Sequence, residues 1–243
     1  IFQFLLPSRF PSMRQKDLNE MSLDLIFETV RDYYLRRNKS EDLPPKKRHE
    51  IWTELDDDQK LAYEQTLESG RTRIRQLING VPEIQVRKSI FGLIQNLKGI
   101  CNFSPHKSYS PKLTALVELV EGELEKGRKI LIFSQYLGNG IEKIYPEIER
   151  FGCVQLVGNM TTSERNRVVA QFRKNDEIKL FLGSLRATGI GLNLTSASIV
   201  IHFDHWWNPA VMWQAEDRAH RQGQTRTVDV YSFWVKDTIE ERI

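Results

Sequence analysis

Apolar positions along this chain follow two rhythms. From residue 129 onward, short apolar runs at 129–134, 154–157, 179–183, 199–203 and 228–233 alternate with longer stretches of helical spacing. Runs of that length, bounded by turn residues, predict buried strands. The stretches between them, 112–126, 137–151, 161–172 and 209–220, predict helices, with Pro146 expected to kink or end the second one early. Strands alternating with helices predict an α/β fold: a parallel sheet with helices on both faces. Right-handed crossovers then gather the strand-end loops 134–135, 158–161, 184–191 and 204–208 on one edge, where open α/β sheets take their ligands.

Upstream the rhythm is helical. Asp56 with Gln59 forms a capping-box pattern opening a helix to about residue 79, with Leu61, Leu67, Ile74 and Leu77 as its apolar stripe. A second helix over 82–101 carries Ile84, Ile90, Ile94 and Leu97, and residues 51–55 suit a short strand. Thr161 with Glu164 repeats the capping box, and Asp237 with Glu240 is expected to cap a last helix. Residues 18–30 have helical spacing at Leu18, Met21, Leu25 and Phe27. Pro44 and Pro45 enforce an extended path, and Lys46, Lys47 and Arg48, taken alone, read as a solvated basic linker. Residues 102–110 are turn-rich and mark the boundary before the α/β part.

The 243 residues, 40% hydrophobic and 28% charged, have the composition of a soluble globular protein. No run of about 18 apolar residues predicts a membrane helix. Two cysteines, Cys101 and Cys153, form neither a zinc spacing nor a disulfide framework and suit a reducing, intracellular setting. His106 has no second ligand at metal spacing and reads as an exposed loop histidine. A formal charge of +3 permits a nucleic-acid partner without demanding one. The opening IFQFLLPSRF reads as a cut edge and the closing EERI as an interrupted helix, so a fragment is expected.

The densest chemistry lies in residues 183–224, GSLRATGIGLNLTSASIVIHFDHWWNPAVMWQAEDRAHRQGQ. Gly189 and Gly191 interrupt a Leu- and Ala-rich segment, as backbone held close to something else requires. Asn208 before Pro209 reads as an N-cap followed by proline at the first helical position. On the helix expected to run to His220, Gln214, Arg218 and Arg221 stand at i, i+4 and i+7 and share a face, with Asp217 beside it. Two arginines one turn apart are ordinarily a solvated surface; arginine's planar fork also matches phosphate oxygens. Trp206 and Trp207 are expected to cover the apolar strand before them, with base stacking as the alternative. The chain contains no G-x-x-x-x-G-K-[ST] phosphate cradle and no DEAD or DEAH box.

The spellings GIGLNL, DHWWNP and QAEDRAHRQGQ, in that order, resemble the last motifs of the Swi/Snf-type ATPases, duplex-DNA translocases of helicase superfamily two. YYLRRNKSEDLPPKKR at 33–48 is similar to the connector between that family's two ATPase lobes. The resemblance covers about residues 33–242 and implies the second RecA-like lobe (P-loop NTPase type), with a connector over 1–50, a helical protrusion over 51–104 and the lobe over 105–243. It implies that Arg221 is an arginine finger, Arg218 its companion and Gln214 a residue holding the interface. Gly189, Gly191 and Asn193 match the segment that approaches the ATP ribose, although Asn193 serves equally as a turn cap. Gln135, Thr161, Ser184, Leu185 and Arg186 match segments touching the DNA backbone, each with an alternative as a cap or turn former. The family usually has two adjacent glycines where this chain has Thr188-Gly189. Threonine disfavours positive φ, so the loop path there is expected to differ.

The implied ligands are ATP with Mg2+, the metal held by the absent first lobe. The implied partners are double-stranded DNA, that first lobe and DNA-bound proteins as remodelling targets, with no membrane. The chain alone is expected to hydrolyse no ATP. The rival readings are a non-catalytic DNA- or protein-binding module that keeps the fold, and a strand-separating RNA helicase, which the WWNP and HRQGQ spellings disfavour. The compact 102–110 segment favours a prokaryotic cytoplasm or nucleoid over a nucleus.

Overall fold

The computed structural model describes residues 43–242 except 79, 186 and 188–190; the helical spacing at 18–30 and the pair Arg36 and Arg37 lie outside the described residues. In chain order the elements are β1 (Lys46–Thr53), α1 (Asp57–Ile78), α2 (Glu83–Asn102), α3 (Pro111–Glu125), β2 (Ile130–Ser134), α4 (Glu142–Ile148), β3 (Cys153–Leu156), α5 (Thr162–Lys174), β4 (Leu180–Ser184), β5 (Ile199–His202), α6 (Pro209–Glu216) and β6 (Val228–Val235). The six strands form one sheet in the order β1-β6-β5-β2-β4-β3, every neighbouring pair parallel.

Strand β2 is buried throughout, and its side chains divide by parity. Ile130 and Ile132 enter one core with Leu116 and Val120 of α3 and Ile144 of α4. Leu131 and Phe133 enter the other with Phe172 of α5 and Ala215 of α6. An apolar run without alternation is what a strand covered on both faces needs. The structure is therefore the α/β, RecA-like sheet expected, with helices on both sides.

The caps follow the sequence closely. Gln59 N–H donates to Asp56 Oδ1 at 2.8 Å while Asp56 N–H donates to Gln59 Oε1 at 3.2 Å. Thr161 and Glu164 bond each other's backbone in the same reciprocal way, and Asn208 Oδ1 accepts from Ala210 N–H at 3.0 Å.

Four expectations are corrected. Residues 46–48 are not a solvated linker: they open β1, which pairs with β6 from Lys46↔Val228 to Thr53↔Val235. The stripe on the paired helices α1 and α2 is only partly covered, with Leu61 56% and Ile84 60% exposed. The helix expected over 137–151 is helical over that range but in three pieces, a wide π turn (Leu137–Ile141) kinked at Asn139, the short α4 with Pro146 inside it, and a 3₁₀ turn (Glu149–Phe151). Asp237 and Glu240 cap no α-helix. Residues 239–242 form one 3₁₀ turn, Asp237 takes φ +56°, and Glu240 points inward. There its carboxylate accepts from Lys112 Nζ at 3.0 Å and from Val235 N–H at 3.0 Å, with both charged groups buried. Burial pushes the Glu240 carboxyl up, and Lys112 opposes it.

Candidate functional site

Between β2 and β5 the sheet changes direction: β3 and β4 lie on one side of β2, and from β5 the chain builds the opposite way to β6, which pairs on the earlier strand β1. In open α/β sheets such a switch point leaves a crevice at the carboxyl ends of the strands. Here the crevice is floored by Asp204, which is fully buried. Its Oδ2 accepts from Ser134 Oγ, and from Asn102 Nδ2 of α2 at 3.0 Å; its Oδ1 accepts from Gln135 N–H at 2.8 Å. The next residue continues the arrangement, because His205 C=O accepts from Gln135 Nε2 at 2.8 Å and from Lys98 Nζ at 2.5 Å. Gly140 makes the turn over this floor possible, since a Cβ there would collide with Ser134 Oγ.

His205 is held as a neutral imidazole. Its ring stacks on Trp234 with centroids 3.5 Å apart, and Nε2 lies 2.9 Å from Phe233 C=O, an acceptor that fixes the proton on that nitrogen. Burial, and then the positive charge of Lys112, push its pKa down to about 2. Burial also lowers the Lys98 ammonium, against Asp204 and Glu240.

Four of the five residues matched to a DNA track lie at or after the carboxyl ends of β2, β4 and β3. Gln135 sits at the end of β2 and Ser184 at the end of β4, where Ser184 Oγ accepts from Ala187 N–H at 3.2 Å. Leu185 is 2% exposed with its side chain in the core; its N–H donates to Ser134 C=O at 3.2 Å. Thr161 is exposed beyond β3 as the cap of α5, and Arg186 lies outside the described residues. Trp206 packs against the core as expected. Trp207 stays 36% exposed, 5.8 Å from Phe91 of α2 and 4.9 Å from Lys98 Nζ.

The arginines are elsewhere. Helix α6 ends at Glu216, so Gln214, Arg218 and Arg221 do not share one helical face as the spacing predicts. Beyond it, Arg218 N–H bonds Ala215 C=O and Ala219 N–H bonds Glu216 C=O, a tightening to i−3 contacts that unwinds the helix. The tightening has tertiary causes. Leu194 N–H donates to Arg218 C=O at 2.9 Å, and the buried Gln224 amide donates to Thr195, Ala197 and Ala219 carbonyls at 3.1, 2.8 and 3.1 Å. His220 Nε2 meets Pro44 C=O at 2.7 Å. These partners precede β5 and β1. The arginine turn therefore lies at the strands' amino ends, while the crevice lies at their carboxyl ends.

That placement joins the arginine turn to the end of the GIGLNL segment, residues 191–194. Gly191 takes φ +50°, a left-handed conformation suited to glycine, and Asn193 Oδ1 accepts from Thr195 N–H at 3.2 Å and Thr195 Oγ1 at 3.0 Å. The turn-cap alternative for Asn193 is thus realised; Gly189 lies outside the described residues. Arg221 and Gln214 are exposed and Arg218 half-buried. Burial lowers the Arg218 guanidinium, and the positive charge of Arg221 adds to it against Asp217, so two like charges are held within reach of each other.

Sequence reasoning passed over the groups that hold both ends. Glu216, fully buried, accepts from Lys46 Nζ at 2.9 Å and from both Arg48 terminal nitrogens at 3.0 and 2.8 Å, with His202 Nε2 at 3.5 Å. Burial pushes this carboxyl up, but the bonds from His202, Arg48 and Lys46 outweigh it and bring it to about 2. Asp204, His205, Lys98 and Asn102 were also missed. Polar residues at i and i+4 beside the apolar Leu97 and Cys101 were the available sign.

Residues 111–223 match the family model described as "Helicase conserved C-terminal domain". An uncharacterized ATP-dependent helicase of Mycoplasma pneumoniae is 34% identical over 259 residues, covering 100% of this chain and 24% of that protein. The human chromatin-remodeling ATPase INO80 is 36% identical over 209 residues, covering 76% of this chain and 13% of its own length. The chain thus spans about a quarter or less of the curated relatives it matches. Among solved structures, the Sulfolobus solfataricus SWI2/SNF2 ATPase core in complex with dsDNA superposes with a TM-score of 0.70 at 29% identity, covering 93% of this chain and 50% of that one.

Proposed function

Because the chain belongs to the Swi/Snf-type ATPase family, as its C-terminal RecA-like lobe, we propose that it forms the trans half of a motor that hydrolyses ATP on double-stranded DNA. In this reading Arg221, with Arg218, reaches ATP held by the first lobe of the same protein and meets the charge that develops on the γ-phosphate. Gln214 braces the interface and the Gly191–Asn193 loop faces the nucleotide. The carboxyl-end crevice follows the sugar–phosphate backbone through Gln135, Thr161 and Ser184, without reading sequence. Displacement of DNA-bound proteins is the output.

The observation that carries this reading is the bond from Leu194 N–H to Arg218 C=O, which ties residues 191–194 to the arginine turn. Among the described residues no group of His, Cys, Asp or Glu is arranged to hold a metal. In this reading the magnesium that accompanies ATP is held by the first lobe. Helix α6, eight residues and roughly 12 Å long, connects the crevice to the arginine turn.

The test is Arg221→Ala in the full-length protein. DNA-stimulated ATP turnover is expected to fall on the order of 10³-fold, the scale of a transition-state arginine, with fold and duplex affinity nearly unchanged. Arg221→Lys should rescue poorly, since an ammonium lacks the planar fork. A large drop in melting temperature with normal turnover in the folded remainder would mean a structural arginine and overturn the reading.

A further inference from the structure

Helices α1 and α2 pack as an antiparallel hairpin, and their seam opens into a cavity of about 460 Å³ toward the tip. Its polar lining is Thr66, Ser69 and Arg73 from α1 and Lys88, Ser89 and Asn96 from α2, with no carboxylate among the lining residues. The hydroxyls of Ser69 and Ser89 donate back into their own helices, to Thr66 and Gln85 carbonyls. The outward donors are therefore the Arg73 guanidinium, the Lys88 ammonium, the Thr66 hydroxyl and the Asn96 amide.

Charge is segregated on this hairpin. The acids of α1 (Asp57, Asp58, Glu64 and Glu68) lie toward its start with Lys60, and the cations Arg71, Arg73 and Arg75 follow without a further acid. Over residues 69–88 there are five cations (Arg71, Arg73, Arg75, Arg87 and Lys88) and one carboxylate (Glu83), five minus one giving +4, whereas the whole chain carries +3. Glu83 is already paired with Arg87 at 2.7 Å. Among the described residues Arg71, Arg73, Arg75 and Lys88 form no ion pair. Cations at a helix C-terminus complement its dipole, which accounts for Arg75 but not for Lys88 near the start of α2.

We propose that this groove is a second seat for the phosphodiester backbone of double-stranded DNA, separate from the carboxyl-end crevice; the proposal rests on the duplex-DNA reading above. Thr66 to Arg73 spans roughly 10 Å of helix, and successive phosphates of one strand advance about 3.4 Å along the duplex axis, so two or three phosphates span the groove. Hydroxyl and amide donors with cations hold a backbone without selecting bases. Charge sign and the absence of acids exclude a basic peptide; an acidic protein segment is the competing occupant.

The experiment uses the full-length protein and a short blunt duplex, with affinity measured across a salt series. Arg73→Ala/Lys88→Ala is expected to flatten the slope of log K against log[salt] by about 1.8, two contacts at about 0.9 each. Maximal ATP turnover at saturating DNA should stay within twofold. Gly92→Glu is the second variant: a Cβ at Gly92 meets nothing within 4 Å, so a carboxylate enters the groove while both cations remain. It should weaken duplex binding at least fivefold with an unchanged melting temperature, and Gly92→Ala should not. If wild type binds duplex and both altered proteins keep its affinity and slope, the groove is not a DNA seat, while the proposed function stands. If they keep duplex binding but lose binding to polyglutamate, the occupant is acidic protein. If wild type binds no duplex, both readings fall.

Discussion

Arg48 grips Glu216 with two parallel bonds, 3.0 and 2.8 Å, although 168 residues separate them. The pair joins the first strand of the sheet to the helix that leads into the arginine turn. Its two members differ sharply in burial: the Glu216 side chain is 1% exposed and that of Arg48 53%. Removing the carboxylate therefore releases a cation that water already reaches, whereas removing the cations strands a buried charge. Glu216→Gln is expected to cost about 1–2 kcal/mol and Lys46→Met/Arg48→Met about 3–5 kcal/mol in urea denaturation. Equal costs would contradict the asymmetry.

His205 sets a pH dependence. Its folded pKa near 2 lies below the ordinary 6.5, so between those values the unfolded chain binds a proton that the folded chain refuses. Stability is thus highest above pH 6.5 and falls on acidification by up to about 1.4 kcal/mol per pH unit from this residue. Glu216, with its folded pKa lowered from 4.5 to about 2, adds to the loss only below 4.5. Denaturation between pH 6.5 and 4.5 should show a shallower fall in His205→Phe, which keeps the stack on Trp234. A slope identical to wild type would mean that the imidazole is not held neutral.

Gln224 is predicted to hold the arginine turn. Gln224→Leu leaves the Thr195, Ala197 and Ala219 carbonyls without this donor, at a cost of about 1–3 kcal/mol. In the full-length protein ATP turnover should fall while duplex affinity persists, because the crevice lies at the other end of the strands. Parallel loss of both would argue for general unfolding.

Gly140→Ala should disturb the opposite end. The new methyl group meets Ser134 Oγ, which bonds Asp204. A stability loss of about 1–3 kcal/mol is expected from the overpacking, together with weaker duplex binding. Ser134→Ala removes the struck hydroxyl, so the double variant should lose less than the two single losses added together.

The central strands were legible because burial on both faces leaves a mark in one dimension: ILIF and LFL are apolar without alternation. The caps were legible because their partners lie three residues apart. Strand β1 was legible only at its end, where the short strand expected over 51–55 meets residues 51–53, since KKRHE resembles a linker until Glu216 and β6 are placed beside it. The end of α6 was hidden for a related reason. Gln214, Arg218 and Arg221 fit a helix perfectly well in spacing, and what unwinds it, Leu194 and the Gln224 amide, comes from other parts of the fold. Likewise, nothing near Asp204 in sequence announces that Asn102, Ser134 and Gln135 converge on it.

The pairing of β1 with β6 also has a consequence in time. Lys46 and its partner Val228 are 182 positions apart, by subtraction of their numbers. At roughly 5–20 residues per second of synthesis, β1 waits about ten to forty seconds before its partner strand exists. During that interval it is a lone extended segment whose backbone seeks a ladder. Its Lys46, Lys47 and Arg48 are the kind of residues that keep such an edge from joining a neighbour's. Two of these cations, Lys46 and Arg48, later clasp Glu216, and the sheet is complete only once its last strand has been made.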